Sequence, residues 1–321
     1  ANAGEIDAMA KVVEEAMQSG ATGFSTGLIY APNKAATTDE IVALAEVAGD
    51  KDGIYVTHMR NEGVDIDKSL DETFEIGRRA DLPVVVSHHK CAGKESHGHS
   101  VETLARFDKA LEGQKVGLDV YPYTAGSTVI MVDMVDAAER VIITWSETRP
   151  EFSGRDLGDI AAELGCSARD AAAQLIPGGA IYFLMDEADV RRILSYPHAM
   201  VGSDGLPHDS HPHPRLWGTF PRVLGHYARE LRLMSLEEAV RRMTGLSAEQ
   251  FGLKDRGVLR PGAFADITLF DPETVIDSAT FEKPMSPAAG IDLVMVNGEI
   301  IREQGRVTGA RPGRALRRNA D

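Results

Sequence analysis

Three short apolar runs in this 321-residue chain end abruptly in residues that can bind a metal or move a proton. They are Ile54 to His58, Val84 to His88-His89-Lys90, and Met200 to Asp204-Gly205. In a parallel barrel the strand ends converge on one face, so residues far apart in sequence meet there. Neutral imidazoles arriving from separate strands suit zinc and similar ions, which makes His58 and His88 candidate metal ligands. Each alone could equally be a histidine hydrogen-bonded in a loop; the repetition at equivalent strand ends favours ligation. His89 points the other way if the strand continues, because side chains alternate, and reads as an inward partner of the ligands. Asp204 is either a turn aspartate or a carboxylate beside the metal that takes a proton from water. Lys90, Tyr121 and Arg215 sit just past strand ends or in the following loop. They are surface charges and a belt aromatic, or a clamp for a substrate carboxylate in which Arg215 binds bidentately.

Other candidates read as ordinary. His97 and His99 form a His-x-His pair on a polar stretch, poorly preorganised for a metal, and are expected to be loop histidines. His208, His211 and His213 cluster in a Pro-rich loop and get the same expectation. Cys91 and Cys166 read as unremarkable thiols, and two cysteines are too few for a disulfide framework. A reducing cytoplasm is the default location.

The elements that must carry these residues alternate. A first helix places Ile6, Met9, Val12, Val13 and Met17 on one face and stops at Gly20. Strands follow near residues 24, 56, 86, 119 and 202. Between them come a helix capped at Thr37-Thr-Asp-Glu40, one on Ile66, Leu70 and Phe74, and one from Ser100. This rhythm predicts an α/β fold with a parallel sheet buried on both faces. Five strands amount to part of a TIM-type barrel, which needs about eight. The rhythm breaks from about 124 to 186, where Ile142 to Trp145 and two Ala-rich helices (Leu157 to Leu164, Ser167 to Leu175) suggest an inserted lid. Capping boxes at Ser235 to Glu238 and Ser247 to Gln250 predict two further helices. From 257 the periodicity turns β: Ala265 to Phe270 alternates, and Ile291 to Ile301 is a hairpin with an Asn297-Gly298 turn. The expected division is 1–256, the barrel part, and 257–321, a small β module plus a basic tail from Arg311 to Arg318.

The charge balance excludes some partners. The 34 Lys+Arg against 49 Asp+Glu give −15, which argues against nucleic acid and anionic membranes. No apolar run approaches the roughly 18 residues of a membrane-spanning helix, and no segment resembles a secretion signal.

Several strings resemble one family. Thr57-His58-Met-Arg60, Ser87-His88-His-Lys90, Asp119-Val-Tyr121, Gly202-Ser-Asp204-Gly-Leu-Pro207 and, most specifically, Pro212-His-Pro-Arg215-Leu-Trp-Gly-Thr-Phe-Pro-Arg222 are similar to the N-acyl-D-amino-acid deacylases of the amidohydrolase superfamily. The resemblance covers essentially the whole chain. It implies a TIM-type barrel with a lid and a small β-sandwich, and one or two zinc ions held by His58, His88 and further ligands upstream of Ala1. It also implies Asp204 as catalytic residue, and Lys90, Tyr121 and Arg215 on the substrate's carboxylate. The activity implied is hydrolysis of the linear amide of an N-acyl-D-amino acid. The chain is similar to about the C-terminal two-thirds of such an enzyme, so by itself it is expected to be inactive. Two other readings compete: a cyclic amidase of hydantoinase or dihydroorotase type, and a non-catalytic scaffold chain.

Overall fold

The computed structural model describes residues 1–317, which leaves Arg318 of the basic tail outside the described residues. The chain opens with helix α1 (Ala3–Gln18), whose N-terminus is closed by reciprocal bonds between Asn2 and Glu5. Gly20 ends it with φ +96°, a left-handed conformation in which glycine carries no steric penalty. The apolar face is only partly used. Met17 is buried, whereas Val12 stands 65% exposed, and among the described residues α1 packs mainly on α2 (Thr38–Gly49).

Strands β1 (Gly23–Gly27), β2 (Ile54–His58), β3 (Val84–Val86) and β4 (Val116–Val120) follow in turn. Helices α2, α3 (Ile66–Arg79) and α4 (Ser100–Leu111) connect them. β3 is three valines, all buried, as a strand covered on both faces requires. The helices fill the covering layer: Phe74 of α3 meets Phe107 of α4 edge to face at 5.3 Å between ring centroids. Thr37 caps α2 by accepting the Glu40 N–H.

An insertion follows β4. Strands β5 (Ala125–Val129), β6 (Arg140–Ser146) and β7 (Gly178–Phe183) form an antiparallel sheet in the order β5-β7-β6. Helices α5 (Leu157–Leu164) and α6 (Ala168–Gln174) pack on one another beside it. Helix α7 (Glu187–Ser195) then leads into β8 (Ala199–Val201). β8 pairs with β4, completing a parallel sheet in the order β1-β2-β3-β4-β8. The expected five strands are these, in one α/β layer.

After β8 come α8 (Arg215–Arg222), a wide-turned continuation over Val223–Glu230, α9 (Leu236–Met243) and α10 (Gly245–Phe251). Ser235 caps α9 as its capping box predicts. Ser247 does not cap α10. The helix begins two residues earlier, directly after Thr244, so Ser247 lies inside it and donates to the Arg242 carbonyl. The final module is a four-stranded antiparallel sheet of β9 (Ile267–Phe270), β10 (Ile291–Val296), β11 (Glu299–Glu303) and β12 (Arg306–Val307). Asn297 and Gly298 both take positive φ, +48° and +84°, at the predicted hairpin turn.

Candidate functional site

The C-terminal ends of the parallel strands open on a cleft of about 1040 Å³. His58, His88, Lys90, Tyr121, Asp204 and Arg215 all line it, and the insertion closes one side through Ser127, Thr128 and Tyr182. Residues spread over 158 positions of sequence (58 to 215, inclusive) thus meet because the strands run parallel and end together.

His58 and His88 stand with ring centroids 4.4 Å apart, edge to face. A ring nitrogen of each and a carboxylate oxygen of Glu62 lie within 4.8 Å of one another. His58 Nε2 is buried and has no hydrogen-bond partner among the described residues, where Glu62 Oε2 lies 3.5 Å away. Burial holds the charged form of His58 down, to a pKa of about 4, so its lone pair is available at neutral pH. An orphaned imidazole nitrogen facing a second imidazole and a carboxylate fits a zinc-type cation.

Two strand ends turn sharply to present their residues. His88 has φ +41° and Asp204 φ +49°, a left-handed conformation that a non-glycine residue adopts at a cost. Asp119, at the neighbouring end of β4, holds the first turn: Oδ1 accepts from the His88 N–H at 3.0 Å and its carbonyl accepts from the His89 N–H at 2.7 Å. His89 is carried away from the cleft. Its Nε2 meets Thr103 Oγ1 at 2.9 Å and its ring packs on Phe107. It is buried as expected, yet it partners helix α4 and not His58 or His88.

Glu62 was not legible as a site residue. It lies in a polar loop four residues past His58, and it is the loop after β3 that closes over it: Ala92 donates its N–H to the Glu62 carbonyl at 2.7 Å. Burial alone would raise its carboxyl. His58, Lys90 and His88, turned toward it, outweigh that and hold it well below the usual carboxylate range. Its spacing from His58 was the available signal.

Arg215 begins α8 and is 1% exposed. Its Nη2 donates to Asp204 Oδ2 at 2.8 Å and to the Ser127 carbonyl at 2.9 Å, and the guanidinium lies 4.5 Å from the Tyr121 ring centroid. Nε and Nη1 have no hydrogen-bond partner among the described residues. Buried, unspent donors of a guanidinium are suited to an anion. Burial pushes the Tyr121 phenol up, so it stays a neutral donor. His213, expected as a plain loop histidine, is buried: Nε2 donates to the Ala125 carbonyl at 2.9 Å and Nδ1 accepts from the Arg215 N–H at 2.9 Å. It fixes the start of α8 and hence Arg215.

The remaining candidates lie apart from the cleft chemistry. His97 contacts the Leu184 carbonyl and His99 contacts Asp67, so the pair does not converge. His211 contacts the Phe281 carbonyl and His208 is largely exposed. Burial pushes the Cys91 thiol up to about 12, which makes it inert.

Residues 102–302 match the model of the Amidohydrolase family. The chain belongs to the amidohydrolase family. This amidohydrolase is 55% identical over 316 residues to a D-aminoacylase of Alcaligenes xylosoxydans xylosoxydans, covering 98% of the chain and 65% of that protein. It therefore spans slightly less than two thirds of that relative's length. A solved N-acyl-D-glutamate deacylase of Bordetella bronchiseptica, complexed with zinc and a phosphonate mimic of the reaction's tetrahedral intermediate, superposes with a TM-score of 0.96 at 48% identity. That match covers 99% of this chain and 67% of the other. A D-hydantoinase superposes at 0.60 with 15% identity over 97% of the chain and 71% of its own, a likeness of fold.

Proposed function

We propose that this chain carries the greater part of the active site of a zinc-dependent N-acyl-D-amino-acid deacylase, which hydrolyses a linear amide to a carboxylate and a free D-amino acid. The observation that carries the reading is the convergence of an orphaned His58 nitrogen, His88, Asp204 and the unspent donors of Arg215 on one cleft. The D-aminoacylase and N-acyl-D-glutamate deacylase relatives support the substrate class. In this reading residues 1–256 are part of a TIM-type barrel with its lid, and 257–321 are part of a β-sandwich.

His58 and His88 would hold zinc, completed by ligands from the remainder of the protein. When bound, zinc supplies Lewis-acid chemistry, polarising the acyl carbonyl and making water easier to deprotonate. Asp204 takes the proton of the attacking water and delivers it to the departing amine nitrogen, so the water's two hydrogens and oxygen are shared between the products. Arg215 binds the substrate α-carboxylate through an unspent N–H of its guanidinium, Tyr121 donates its phenol, and Lys90 contributes an N–H. Holding the carboxylate fixes which face of the α-carbon turns to the reacting amide, and so sets the enantiomer. A small-molecule substrate and a reducing cytoplasm complete the proposal. Among the described residues no helix is long and apolar enough to cross a membrane.

The test is turnover by the full-length gene product on N-acetyl-D-amino acids, their L enantiomers, and hydantoins. Hydrolysis confined to the D-amides supports the reading; hydantoin cleavage without amide cleavage replaces it with a cyclic amidase. Asp204→Ala should lower kcat by about 10²–10⁴-fold while zinc content stays unchanged. Normal turnover in that variant removes Asp204 from the mechanism.

A further inference from the structure

Glu62 is placed from two loops at once, by its own position past β2 and by the Ala92 N–H bound to its carbonyl. One carboxylate oxygen serves two neighbours: Oε1 is 2.6 Å from Lys90 Nζ and 3.0 Å from His88 Nδ1. Lys90 Nζ is itself 2.7 Å from His88 Nδ1. An ammonium this close to a metal-binding histidine poses a charge problem, because in a buried setting it repels a second cation strongly. A buried ammonium without a partner is also costly in its own right. Glu62 answers both.

We infer that Glu62 is a positioning residue for the metal site: it cancels the charge of Lys90 beside His88, so that a lysine can reach an anionic substrate without weakening cation binding. The inference rests on the metal-dependent reading above. Glu62 acts here through its neighbours; the zinc stays with His58 and His88. The arrangement lets one cleft serve a dication and an anion within a few side chains of each other. The cation at the anion-binding end is neutralised locally before it can oppose the metal.

The experiment is zinc affinity of the full-length protein by chelator competition, for Glu62→Gln, Lys90→Met and the double variant, with the visible spectrum of the cobalt(II) form recorded for each. Glu62→Gln is expected to bind zinc about 10- to 100-fold more weakly, the usual loss when a carboxylate supporting a metal ligand is removed. Lys90→Met in that background should recover most of the loss, because the unopposed charge has gone. The cobalt spectrum should keep its band positions throughout. Glu62→Gln at unsubstituted affinity overturns the inference, as does a double variant as weak as the single one. A shifted cobalt band also overturns it, because Glu62 would then be a ligand itself. If Glu62→Gln does not fold, Lys90→Met alone decides: it should bind zinc at least as tightly as the unsubstituted protein, and weaker binding refutes the charge argument. Failure of the unsubstituted protein to bind zinc stoichiometrically would bring down the hydrolase reading instead, and is read independently of every variant.

Discussion

Arg215→Lys separates a carboxylate clamp from a structural cation. Arg215 spends Nη2 on Asp204 and Ser127 and keeps Nε and Nη1 unpaired in a buried position. A lysine preserves the positive charge facing Asp204 but has no fork. Removing the charge altogether would be less informative, since it leaves Asp204 without its partner and mixes two losses. Each charge-assisted hydrogen bond to a carboxylate is worth about 1.5–3 kcal/mol. The unspent donor that meets the carboxylate therefore contributes about 1.5–3 kcal/mol, and a lysine held by Asp204 does not supply it. The loss of about 1.5–3 kcal/mol corresponds to roughly 10- to 150-fold in kcat/KM.

The assay compares two substrates that differ in one group: an N-acetyl-D-amino acid and its α-carboxamide. The carboxamide cannot accept a charge-assisted bond as an anion, so the substitution should change its kcat/KM by less than about threefold while the carboxylate substrate suffers the full loss. Thermal unfolding should be nearly unchanged in parallel. Equal losses on both substrates would refute the reasoning, because Arg215 would then be holding the fold of the cleft and not the substrate.

Two further outcomes test the framework around the site. Phe107 is fully buried against Phe74, His89 and Tyr196, so Phe107→Ala should cost about 3–5 kcal/mol in denaturant unfolding, and a loss under 1 kcal/mol would mean that the α3–α4 layer is not the packed core described. Glu238, paired with Arg241 and Arg242, has its carboxyl lowered to about 2. A depressed folded-state pKa gives stability that is fully present above the ordinary value of 4.5 and is lost as pH falls through about 2. Partial exposure screens the pair, so Glu238→Gln should destabilise by on the order of 1 kcal/mol at pH 7. That difference should shrink between pH 4.5 and 2, and a constant difference across the range would assign the effect to the helix cap.

His58, His88 and Asp204 were legible because each closes an apolar run short enough to be a buried strand, and parallel pairing makes such ends neighbours. The capping residues Thr37 and Ser235 were legible for a local reason, since a cap needs only its own next three residues. Ser247 has the same local signature but sits one turn into a helix whose start is set by α9 before it, so neighbouring structure overrode the motif. Glu62 and His213 were hidden because both lie in polar loops. Their burial comes from segments distant in sequence: the loop after β3 closes over Glu62, and Tyr123 and Phe281 enclose His213. The apolar face of α1 shows the converse, a local pattern that the described residues bury fully at Met17, half-bury at Ile6, Met9 and Val13, and leave exposed at Val12.

The same contrast between local and distant effects governs charge. The chain carries −15 overall, which by itself would repel an anionic substrate. Around the candidate anion-binding donors the side-chain charges cancel in pairs, Glu62 with Lys90 and Asp204 with Arg215, so these four residues add no net positive charge to that of the metal. At about 0.1 M salt the surface field fades over roughly 10 Å, whereas buried contacts are barely screened. In the proposed reading, recognition of a carboxylate then comes from donors left unspent after pairing: those of Arg215, and the N–H groups of Lys90 not given to Glu62. A neutral amide satisfies such donors poorly, and a hydrophobic ligand leaves them buried and unpaired at a cost of about 1–3 kcal/mol each. On this logic the site selects for the anion by what the wrong ligand fails to complete, and the two internal ion pairs keep that selectivity from becoming a general attraction to anions.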